Sequence, residues 1–329
     1  MNKQAFPTVT VIMAIRNEEA FIERSLGAIL EQDYPPESVE ILIADGLSDD
    51  NTLNIIDSMP DKERIQIVPN PGITQAYGLN CLIPLAKGDY IVRVDGHTII
   101  APDYITRCIQ TLQTTGADNV GGGMDPVGIT PIGQAIALAG KSPFAVPSTF
   151  HISNRAQYTD TVYLGAWPRH VFEKLGPYNT ALNINEDYEL NYRIRSNGGQ
   201  IFFNPEIKSL YYGRQTRSHL ARQYYRYGRV KVKMLRKHPR SLRVRQIIAP
   251  LFVAGLVIGP ILSLFLPPLI WIYSLVLGIY LLLGLFFAFK ATPKINKYTL
   301  IRRVMLVYII MHLAWGLGFW RELIKPGPL

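Results

Sequence analysis

Over the first 95 positions, runs of apolar residues alternate with segments whose apolar residues recur at helical spacing. Val9–Ala14 and Val39–Asp45 are rich in β-branched apolar residues and end in turn signals, as buried parallel strands require. Between them, residues 18–32 carry apolar side chains at the period of a helix. A helix that Thr52 would cap follows the second strand, and a strand, a helix and a strand continue the alternation at 65–68, 73–86 and 90–94. This βαβαβαβ order predicts an α/β fold with a doubly wound sheet.

The C-terminal part of the chain has long uncharged stretches instead. Ile247–Leu266 and Leu269–Phe289 contain no charged residue, and Pro267 and Pro268 separate them. Val304–Trp320 is shorter and contains no Asp, Glu, Lys or Arg. Because a hydrocarbon core about 30 Å thick requires about 20 apolar helical residues, we predict three membrane helices here, the third with snorkelling ends. Core helices of a soluble domain are the alternative, above all for the third stretch.

Positive charge is concentrated just before these stretches. The chain of 329 residues has 34 Lys and Arg against 25 Asp and Glu, a formal net charge of +9. Twelve of the cations lie between Arg214 and Arg245, where aromatic and aliphatic residues are interleaved and no acidic residue occurs. This pattern predicts an amphipathic segment that suits an anionic membrane surface or nucleic acid. Its position beside the uncharged stretches favours the membrane, and we expect no nucleic-acid partner.

Cations in the connecting segments indicate the orientation of the predicted membrane helices. Five of them lie between the second and third stretches: Lys290, Lys294, Lys297, Arg302 and Arg303. By the positive-inside rule, this connection and the cationic segment both lie in the cytoplasm, with the Pro-Pro turn outside. Three crossings would leave the C-terminal tail outside, which Arg321 and Lys325 in that tail disfavour. We expect a multi-pass protein of the inner (plasma) membrane with residues 1–212 in the cytoplasm.

Acidic residues stand at the ends of three predicted strands. Glu18 follows the first strand, Asp45 ends the second, and Asp95 follows the fourth. In open α/β sheets, ligands bind beyond the carboxyl ends of the strands, so we expect one crevice that contains these carboxylates. The dinucleotide-binding motif GxGxxG does not follow the first strand, and the P-loop motif GxxxxGK[ST] does not occur in the sequence. A dinucleotide-binding fold and a P-loop fold therefore lose their main support. Taken alone, Asp45-Gly46 and Asp95-Gly96-His97 are also ordinary turn sequences.

Six short motifs occur together in an order and spacing that point to one family. They are Ala14-Ile15-Arg16-Asn17-Glu18-Glu19, Asp45-Gly46-x-Ser48-x-Asp50-x-Thr52, Gly72…Ala76…Asn80, Asp95-Gly96-His97, Gly165-Ala166 and Glu186-Asp187-Tyr188-Glu189-Leu190. Over about residues 7–230 the chain resembles the inverting, GT-A-fold glycosyltransferases of family 2, most closely the membrane-anchored glucosyltransferases of succinoglycan-type exopolysaccharide assembly. The resemblance implies a GT-A catalytic domain at 1–212, a basic membrane-interface segment at 213–246 and a transmembrane region at 247–329.

The resemblance implies that a nucleotide-sugar donor binds at the strand ends. Asp45 would hold the nucleobase and ribose, whose N–H and hydroxyl groups are donors that a carboxylate can accept. The other positions implied for donor binding are Ala14, Arg16, Glu18, Asn80, Arg93 and Asp95.

The metal motif of this family, normally Asp-x-Asp, departs from the pattern at its last position. Asp95 is retained, whereas the second carboxylate is replaced by His97. The resemblance implies that Asp95 binds a divalent cation, Mn²⁺ or Mg²⁺, directly or through water. His97 is either a second ligand, which would favour Mn²⁺, or a hydrogen-bond partner of the sugar or a loop. The cation would offset charge on the leaving nucleoside diphosphate.

The base and the acceptor site are implied by two later segments. Glu186 and Asp187 begin a predicted helix, where acidic residues can also simply complement the helix dipole. The resemblance makes Asp187 the general base, with Glu186 beside the acceptor; direct displacement requires no enzyme nucleophile. Gln223-Tyr224-Tyr225-Arg226-Tyr227 resembles the Gln-x-x-Arg-Trp element of processive members. It implies acceptor or diphosphate contacts from Gln223, Arg226 and Tyr227.

The expected reaction is therefore the transfer of one sugar, with inversion, from a UDP-sugar to a polyprenyl-diphosphate-linked saccharide at the cytoplasmic membrane face. Three alternatives remain at this stage. The acceptor could be polyprenyl phosphate itself, the protein could be a processive polysaccharide synthase, or it could be an inactive, membrane-tethered binding protein.

Overall fold

The computed structural model describes residues 6–145, 150, 153–182, 184–293 and 297–327. The chain divides into two compact units. The first comprises Met1–Asp125 and Ser153–Tyr212, and the second comprises Pro126–Ile152 and Gly213–Leu329. The sequence pattern did not single out residues 126–152 as part of the C-terminal unit. Lys294, one of the cations used for the orientation, lies outside the described residues.

A mixed, nine-stranded sheet is formed by the described residues, with the spatial order β3-β2-β1-β4-β8-β6-β9-β5 and with β7 paired to β9. Its strands are β1 (Val9–Ile15), β2 (Val39–Asp45), β3 (Ile65–Pro69), β4 (Tyr90–Arg93), β5 (Thr98–Ile100), β6 (Asn119–Val127), β7 (Gln157–Tyr158), β8 (Tyr163–Pro168) and β9 (Ile201–Tyr212). The first four strands pair in parallel, and β8 continues the sheet antiparallel to β4. The predicted α/β class is confirmed, and the parallel strands predicted from the sequence form one half of the sheet.

The α-helices are numbered along the chain. They are α1 (Ile22–Leu30), α2 (Thr52–Ser58), α3 (Gln75–Leu82), α4 (Tyr104–Thr115), α5 (Pro131–Gly140), α6 (His170–Leu175), α7 (Glu186–Ser196), α8 (Arg217–Lys237), α9 (Ile248–Phe265), α10 (Leu269–Ala291) and α11 (Lys297–Ile324). Helix α5 and helices α8 to α11 belong to the second unit, and the others belong to the first.

Strand β1 lies at the centre of the parallel half of the sheet. Its residue Ile12 pairs with Leu42 of β2 on one side and with Arg93 of β4 on the other. Six of its seven residues are buried, which explains the continuous apolar run in the sequence. Apolar side chains from β1, β2, α1 and α4 join one core in the first unit. This core fixes the strand ends at which the acidic residues stand.

Two predicted helices differ from the observed ones at their ends. Helix α1 begins at Ile22 and not at Glu18, because the Glu18 N–H donates to Thr52 Oγ1 at 2.8 Å and the preceding loop is held by the β2–α2 loop. Helix α3 begins after Thr74, which caps it by accepting from the Tyr77 N–H. It passes into a 3₁₀ turn that contains Pro84, where the missing N–H ends the α-helical pattern.

The second unit has its own core, built around α11. Buried side chains from α5, α8, α10 and α11 form it, among them Ala135, Leu220, Ala288, Val304 and Tyr308. Helices α9 and α10 form an antiparallel hairpin, in which the Phe252 ring stacks on Tyr280 with ring centroids 4.2 Å apart.

Three helical stretches of the described chain are long and apolar enough to cross a membrane: Val244–Phe265, Leu269–Ala291 and Tyr298–Ile324. The first two agree with the predicted spans. The third extends beyond the predicted 304–320 at both ends. The charged residues on either side of the apolar run, which the hydropathy pattern excluded from the predicted span, are also helical. At its C-terminal end, Glu322 is fully buried and accepts from Arg229 Nε at 3.0 Å.

Candidate active site

Two buried aspartates stand on either side of the carboxyl end of β1. Asp45, the last residue of β2, pairs with Ile15, and the following Gly46 N–H donates to the Ile15 carbonyl at 2.8 Å. On the other side, the Val94 N–H donates to the Ile12 carbonyl at 3.1 Å, which places Asp95 just beyond the end of β4. The strand-end arrangement expected from the sequence therefore brings these carboxylates to one edge of the sheet.

The carboxylate of Asp45 is oriented by its own loop. The Ser48 hydroxyl donates to Asp45 Oδ1 at 2.6 Å, and the Ser48 N–H donates to Oδ2 at 3.1 Å. A Cβ at Gly46 would lie 3.1 Å from the Ile73 carbonyl oxygen and 3.2 Å from that of Ile15, so the chain can pass here only as glycine or with a shift. Leu47 has a left-handed φ of 59°. This tight turn keeps Asp45 at the sheet edge.

The loop after β1 is joined to the loop after β2. The Asn17 N–H donates to Ser48 Oγ at 3.0 Å, and the Asn17 side chain exchanges hydrogen bonds with Asp49. Arg16 is exposed beside Gly46, and Ala14 is half-buried where β1 meets α3. Both residues thus lie next to Asp45, as the donor-site prediction requires, although direct donor contacts remain predictions.

Arg93 connects two carboxylates that are far apart in the sequence. Its Nε lies 2.9 Å from Asp95 Oδ1, and its Nη2 lies 3.1 Å from Glu186 Oε1. Gln75 of α3 donates to the same Asp95 oxygen at 2.7 Å. Burial alone would lower the pKa of Arg93, but Asp95 and Glu186 raise it, so the guanidinium stays charged. In the described part of the chain, Arg93 Nη1 is buried without a hydrogen-bond partner.

Glu186 and Asp187 are the first two residues of α7. The helix starts after Asn185, which has a left-handed φ of 61°, and the Tyr188 N–H donates to Asp187 Oδ1 at 2.7 Å. Burial raises the pKa of Glu186 to about 7, against the opposing effect of Arg93. Burial also raises the pKa of Asp187, again opposed by Arg93. Asp187 is only partly covered by its neighbours. A partly exposed carboxylate of raised pKa is suited to accept a proton.

Asn80 is engaged by the protein backbone. Its Nδ2 donates to the Tyr178 carbonyl at 2.8 Å, and its Oδ1 accepts from the Tyr178 N–H at 2.8 Å. The residue therefore ties α3 to the segment that precedes α7. The predicted donor contact of Asn80 remains a prediction, because both polar atoms of its side chain have this structural partner.

His97 is paired with Glu18 across the end of β1. Its Nδ1 lies 2.8 Å from Glu18 Oε1, and a Cβ at Gly96 would lie 2.8 Å from Glu18 Cγ. Histidines that bind metals commonly pair their other ring nitrogen with a carboxylate. The described residues contain no group of three His, Cys, Asp or Glu that could hold a metal ion by themselves. The residues present fit a cation that takes its remaining ligands from a bound diphosphate, as Mg²⁺ commonly does.

The three predicted acceptor residues other than Glu186 lie on α8 in the second unit. Gln223 donates to the Tyr227 hydroxyl at 2.8 Å. Burial and the neighbouring cations, Arg214 above all, lower the pKa of Arg226. An anion bound to Arg226 would relieve this repulsion, so its setting suits the predicted contact with a phosphate.

Sequence reasoning missed several residues that hold the site together. Gln75 and Tyr178 carry no motif signal, and their roles are visible only from their contacts with Asp95 and Asn80. Ser48 does stand in the second motif, but its role of orienting Asp45 needed the loop geometry.

The fold and the site define a GT-A-like glycosyltransferase, and the comparisons with known proteins agree. Residues 10–144 match the family described as Glycosyl transferase family 2. The chain is 30% identical over 327 residues to the succinoglycan biosynthesis protein ExoA of Rhizobium meliloti (strain 1021), covering 95% of this chain and 94% of that protein. The chain belongs to glycosyltransferase family 2, which confirms the resemblance inferred from its motifs.

Two further proteins are similar to the chain. A dolichyl N-acetyl-alpha-D-glucosaminyl phosphate 3-beta-D-2,3-diacetamido-2,3-dideoxy-beta-D-glucuronosyltransferase of Methanococcus voltae is 29% identical over 238 residues, 70% of this chain and 74% of that enzyme. The mannosyltransferase PcManGT from Pyrobaculum calidifontis, solved with GDP-Man and Mn²⁺, has a TM-score of 0.60 at 18% identity and covers 97% of this chain and 88% of that one. At that identity, the mannosyltransferase supports the fold alone.

Proposed function

We propose that the protein transfers one sugar, with inversion, from a UDP-sugar to a polyprenyl-diphosphate-linked saccharide at the cytoplasmic face of the inner membrane. The observation that carries this proposal is the buried contact of Arg93 with both Asp95 and Glu186, beside Asp187. It joins the residue expected at the donor diphosphate to the helix that begins with the expected base. Donor and acceptor groups can then meet between β4 and α7.

Donor binding is assigned to the edge of the sheet near Asp45. With Oδ1 and Oδ2 already oriented by Ser48, the Asp45 carboxylate can accept from a base N–H and from ribose hydroxyls through its remaining lone pairs. Ala14 lies on the neighbouring strand β1, and Arg16 and Glu18 lie in the loop that follows it. Arg93 holds the Asp95 carboxylate beside this edge of the sheet.

Asp95 and His97 would hold a divalent cation together with the donor diphosphate. Such a cation supplies positive charge that offsets the charge on the leaving nucleoside diphosphate. Glu18 orients the His97 ring through Nδ1, and Arg93 and Gln75 orient the Asp95 carboxylate. The PcManGT structure was solved in complex with Mn²⁺, which supports the proposal of a divalent cation in this class of fold.

Asp187 would accept the proton of the acceptor hydroxyl. As that oxygen bonds to the anomeric carbon, the bond between this carbon and the diphosphate breaks and UDP leaves. The proton passes from the hydroxyl to the Asp187 carboxylate. A single displacement of this kind inverts the configuration and requires no covalent sugar–enzyme intermediate. The raised pKa of Asp187 makes it a stronger base than an exposed aspartate.

A lipid-linked acceptor is supported by features of the second unit and by the names of relatives. Helix α8 carries Arg226 in a cationic setting suited to phosphate, and hydrophobic helices follow it. The names of two relatives refer to succinoglycan biosynthesis and to a dolichyl phosphate saccharide. Long polyprenyl phosphates reside in membranes, so an acceptor of this class would approach the enzyme from the bilayer.

The test replaces the proposed base. The variant Asp187→Asn should reduce transfer from a UDP-sugar to a polyprenyl-diphosphate saccharide by about 10²- to 10⁴-fold, because the proton acceptor is lost. UDP binding, measured by calorimetry with Mn²⁺, should stay within a few-fold. The matched control is Asp57→Asn, because Asp57 is an exposed carboxylate outside the site. Undiminished turnover by Asp187→Asn would remove Asp187 from the proposed role.

The same assay separates the acceptor classes. The full-length protein is incubated with labelled UDP-sugars and one of two acceptors, the polyprenyl-diphosphate saccharide or bare polyprenyl phosphate, and a third reaction without lipid is the control. Exclusive labelling of bare polyprenyl phosphate would contradict the proposed acceptor. Products longer by many sugars would contradict single-sugar transfer.

A further inference from the structure

The hairpin of α9 and α10 has a closed end, where a turn joins the two helices, and an open end, where α9 begins and α10 ends. Phe252 stacks on Tyr280, and a Cβ at Gly259 would touch the Tyr273 ring, so the two helices run antiparallel from the turn at Pro267. With 18 and 23 residues, they are about 27 and 34 Å long at 1.5 Å per residue. Each can cross a hydrocarbon core of about 30 Å. The start of α9 and the end of α10 then lie on the same side of the membrane.

Helix α11 must begin on that side too. Only residues 292–296 separate the end of α10 at Ala291 from the start of α11 at Lys297. A connection of this length reaches at most about 20 Å when fully extended, too short to return across the core. In agreement with this, Met305 lies against Gly284, in the last part of α10.

The other end of α11 lies on the same side. The Trp320 indole N–H donates to the carbonyl of Pro250, the third residue of α9, at 2.8 Å. Glu322 lies 2.9 Å from Arg229 Nη2, on the cationic helix that precedes α9. Trp320 is 23 residues beyond Lys297, about 34 Å along a straight helix. A helix crossing the membrane would carry Trp320 to the far side, next to the Pro-Pro turn.

We propose that α11 does not cross the membrane but lies along its cytoplasmic surface at the open end of the hairpin. The chain then crosses the membrane twice, through α9 and α10, and its C-terminus lies on the same side as α8. The sequence-based expectation of three crossings is replaced in this proposal, although α11 has the length and composition of a span. This topology also removes the conflict between the external tail and its cations Arg321 and Lys325.

The burial of the three helices supports this arrangement. Most large apolar side chains of the hairpin are exposed, as with Leu264 at 80% and Trp271 at 78% exposure. In contrast, Val304, Val307 and Tyr308 of α11 are fully buried in the core of the second unit. The exposed positions Leu317, Arg321 and Ile324 fall at i, i+4 and i+7, on one stripe of α11. A stripe that mixes apolar side chains with a cation suits the headgroup region of an anionic bilayer.

The experiment measures the side of the membrane on which three positions lie. Single-cysteine additions are made to the full-length protein in sealed, inside-out membrane vesicles: Arg240→Cys between α8 and α9, Leu266→Cys at the turn, and Lys325→Cys after α11. All three positions are exposed. A membrane-impermeant maleimide is added before and after permeabilisation, and the signal of the parent chain, with Cys81 and Cys108, is subtracted. For each variant, labelling before permeabilisation is expressed as a fraction of the total thiol that is labelled after permeabilisation.

Positions 240 and 325 should be labelled completely before permeabilisation, and position 266 only afterwards. Labelling of position 325 together with 266 would show that α11 crosses and would overturn the proposal. Labelling of 266 together with 240 would overturn it as well, because the hairpin itself would not cross. The measurement requires no sugar transfer, so it stands or fails independently of the proposed function.

Discussion

The two units of the protein contain buried ion clusters of opposite composition. In the first unit, one arginine, Arg93, lies between the carboxylates of Asp95 and Glu186. In the second, one carboxylate, Glu322, lies between Arg229 and Arg236, and the Gly327 N–H also donates to it at 3.3 Å. The first cluster leaves Arg93 Nη1 without a partner in the described part of the chain. The first cluster joins the end of β4 to the first turn of α7 at the proposed active site, whereas the second joins α8 to α11.

The largest expected effect comes from removing the arginine of the first cluster. Arg93→Met leaves two buried carboxylates unpaired and should lower the free energy of unfolding by about 3–5 kcal/mol. The matched control is Arg107→Met, because Arg107 also bridges two carboxylates, Asp103 and Glu206, but at the surface. Its loss should cost much less, because solvent screens ion pairs at the surface. Thermal unfolding in detergent measures both, and equal costs would contradict the assigned burial of the Arg93 cluster.

Removing the carboxylate of the second cluster should destabilise the protein without changing catalysis. Glu322→Gln leaves Arg229 with a neutral partner and should cost about 1–3 kcal/mol of unfolding free energy. The readouts are the Tm and the rate of sugar transfer, both in the same detergent. A loss of transfer below the Tm, in a variant that remains folded, would contradict the purely structural role of this cluster.

A change at Asp95, the carboxylate of the first cluster that is proposed to bind the cation, should weaken binding of the UDP-sugar. Asp95→Asn should weaken UDP-sugar binding in the presence of Mn²⁺ by about tenfold or more, equal to about 1.4 kcal/mol. Binding without Mn²⁺ should change less, because the lost interaction is the one with the cation. Calorimetry with and without Mn²⁺ checks this, and Asp57→Asn is again the control. Equal weakening under both conditions would separate Asp95 from the cation.

A further expected effect is a pH dependence of stability. Burial raises the pKa of Glu186 from 4.5 to about 7, so the folded state holds a proton that the unfolded chain releases above pH 4.5. The stabilisation from this group is complete below pH 4.5 and is lost as the pH rises through about 7. Between these values, Glu186→Gln should flatten the dependence of Tm on pH. An unchanged slope would show that Glu186 does not titrate in this range.

The sequence predicted the elements that depend on local pattern. Strand β1 and strand β2 have continuous apolar runs, and the rule that ligands bind beyond strand ends placed Asp45 and Asp95 correctly at one edge of the sheet. The motif spacing identified the family, which the relatives confirm. The strands follow from residues that are close together in the chain, and the family follows from motifs that occur in a fixed order along it.

Long-range contacts could not be predicted in this way. Nothing in the pattern indicated that Arg93 would touch Glu186, or that Gln75 would donate to Asp95. Hydropathy also treated the last helix as an isolated segment, and so it could not detect the contact of Trp320 with Pro250. In each case the decisive information is a contact between distant segments, which neither composition nor periodicity contains.

The left-handed backbone at Asn185 limits which side chains can precede α7. Asparagine and glycine tolerate a φ of 61°, whereas a β-branched residue would be strained there. A valine at this position would therefore strain the start of α7, the helix that begins with Glu186 and Asp187. The position of Asp187, the proposed proton acceptor, thus depends on the backbone at Asn185, and directed evolution should restrict position 185 to residues that tolerate a left-handed φ.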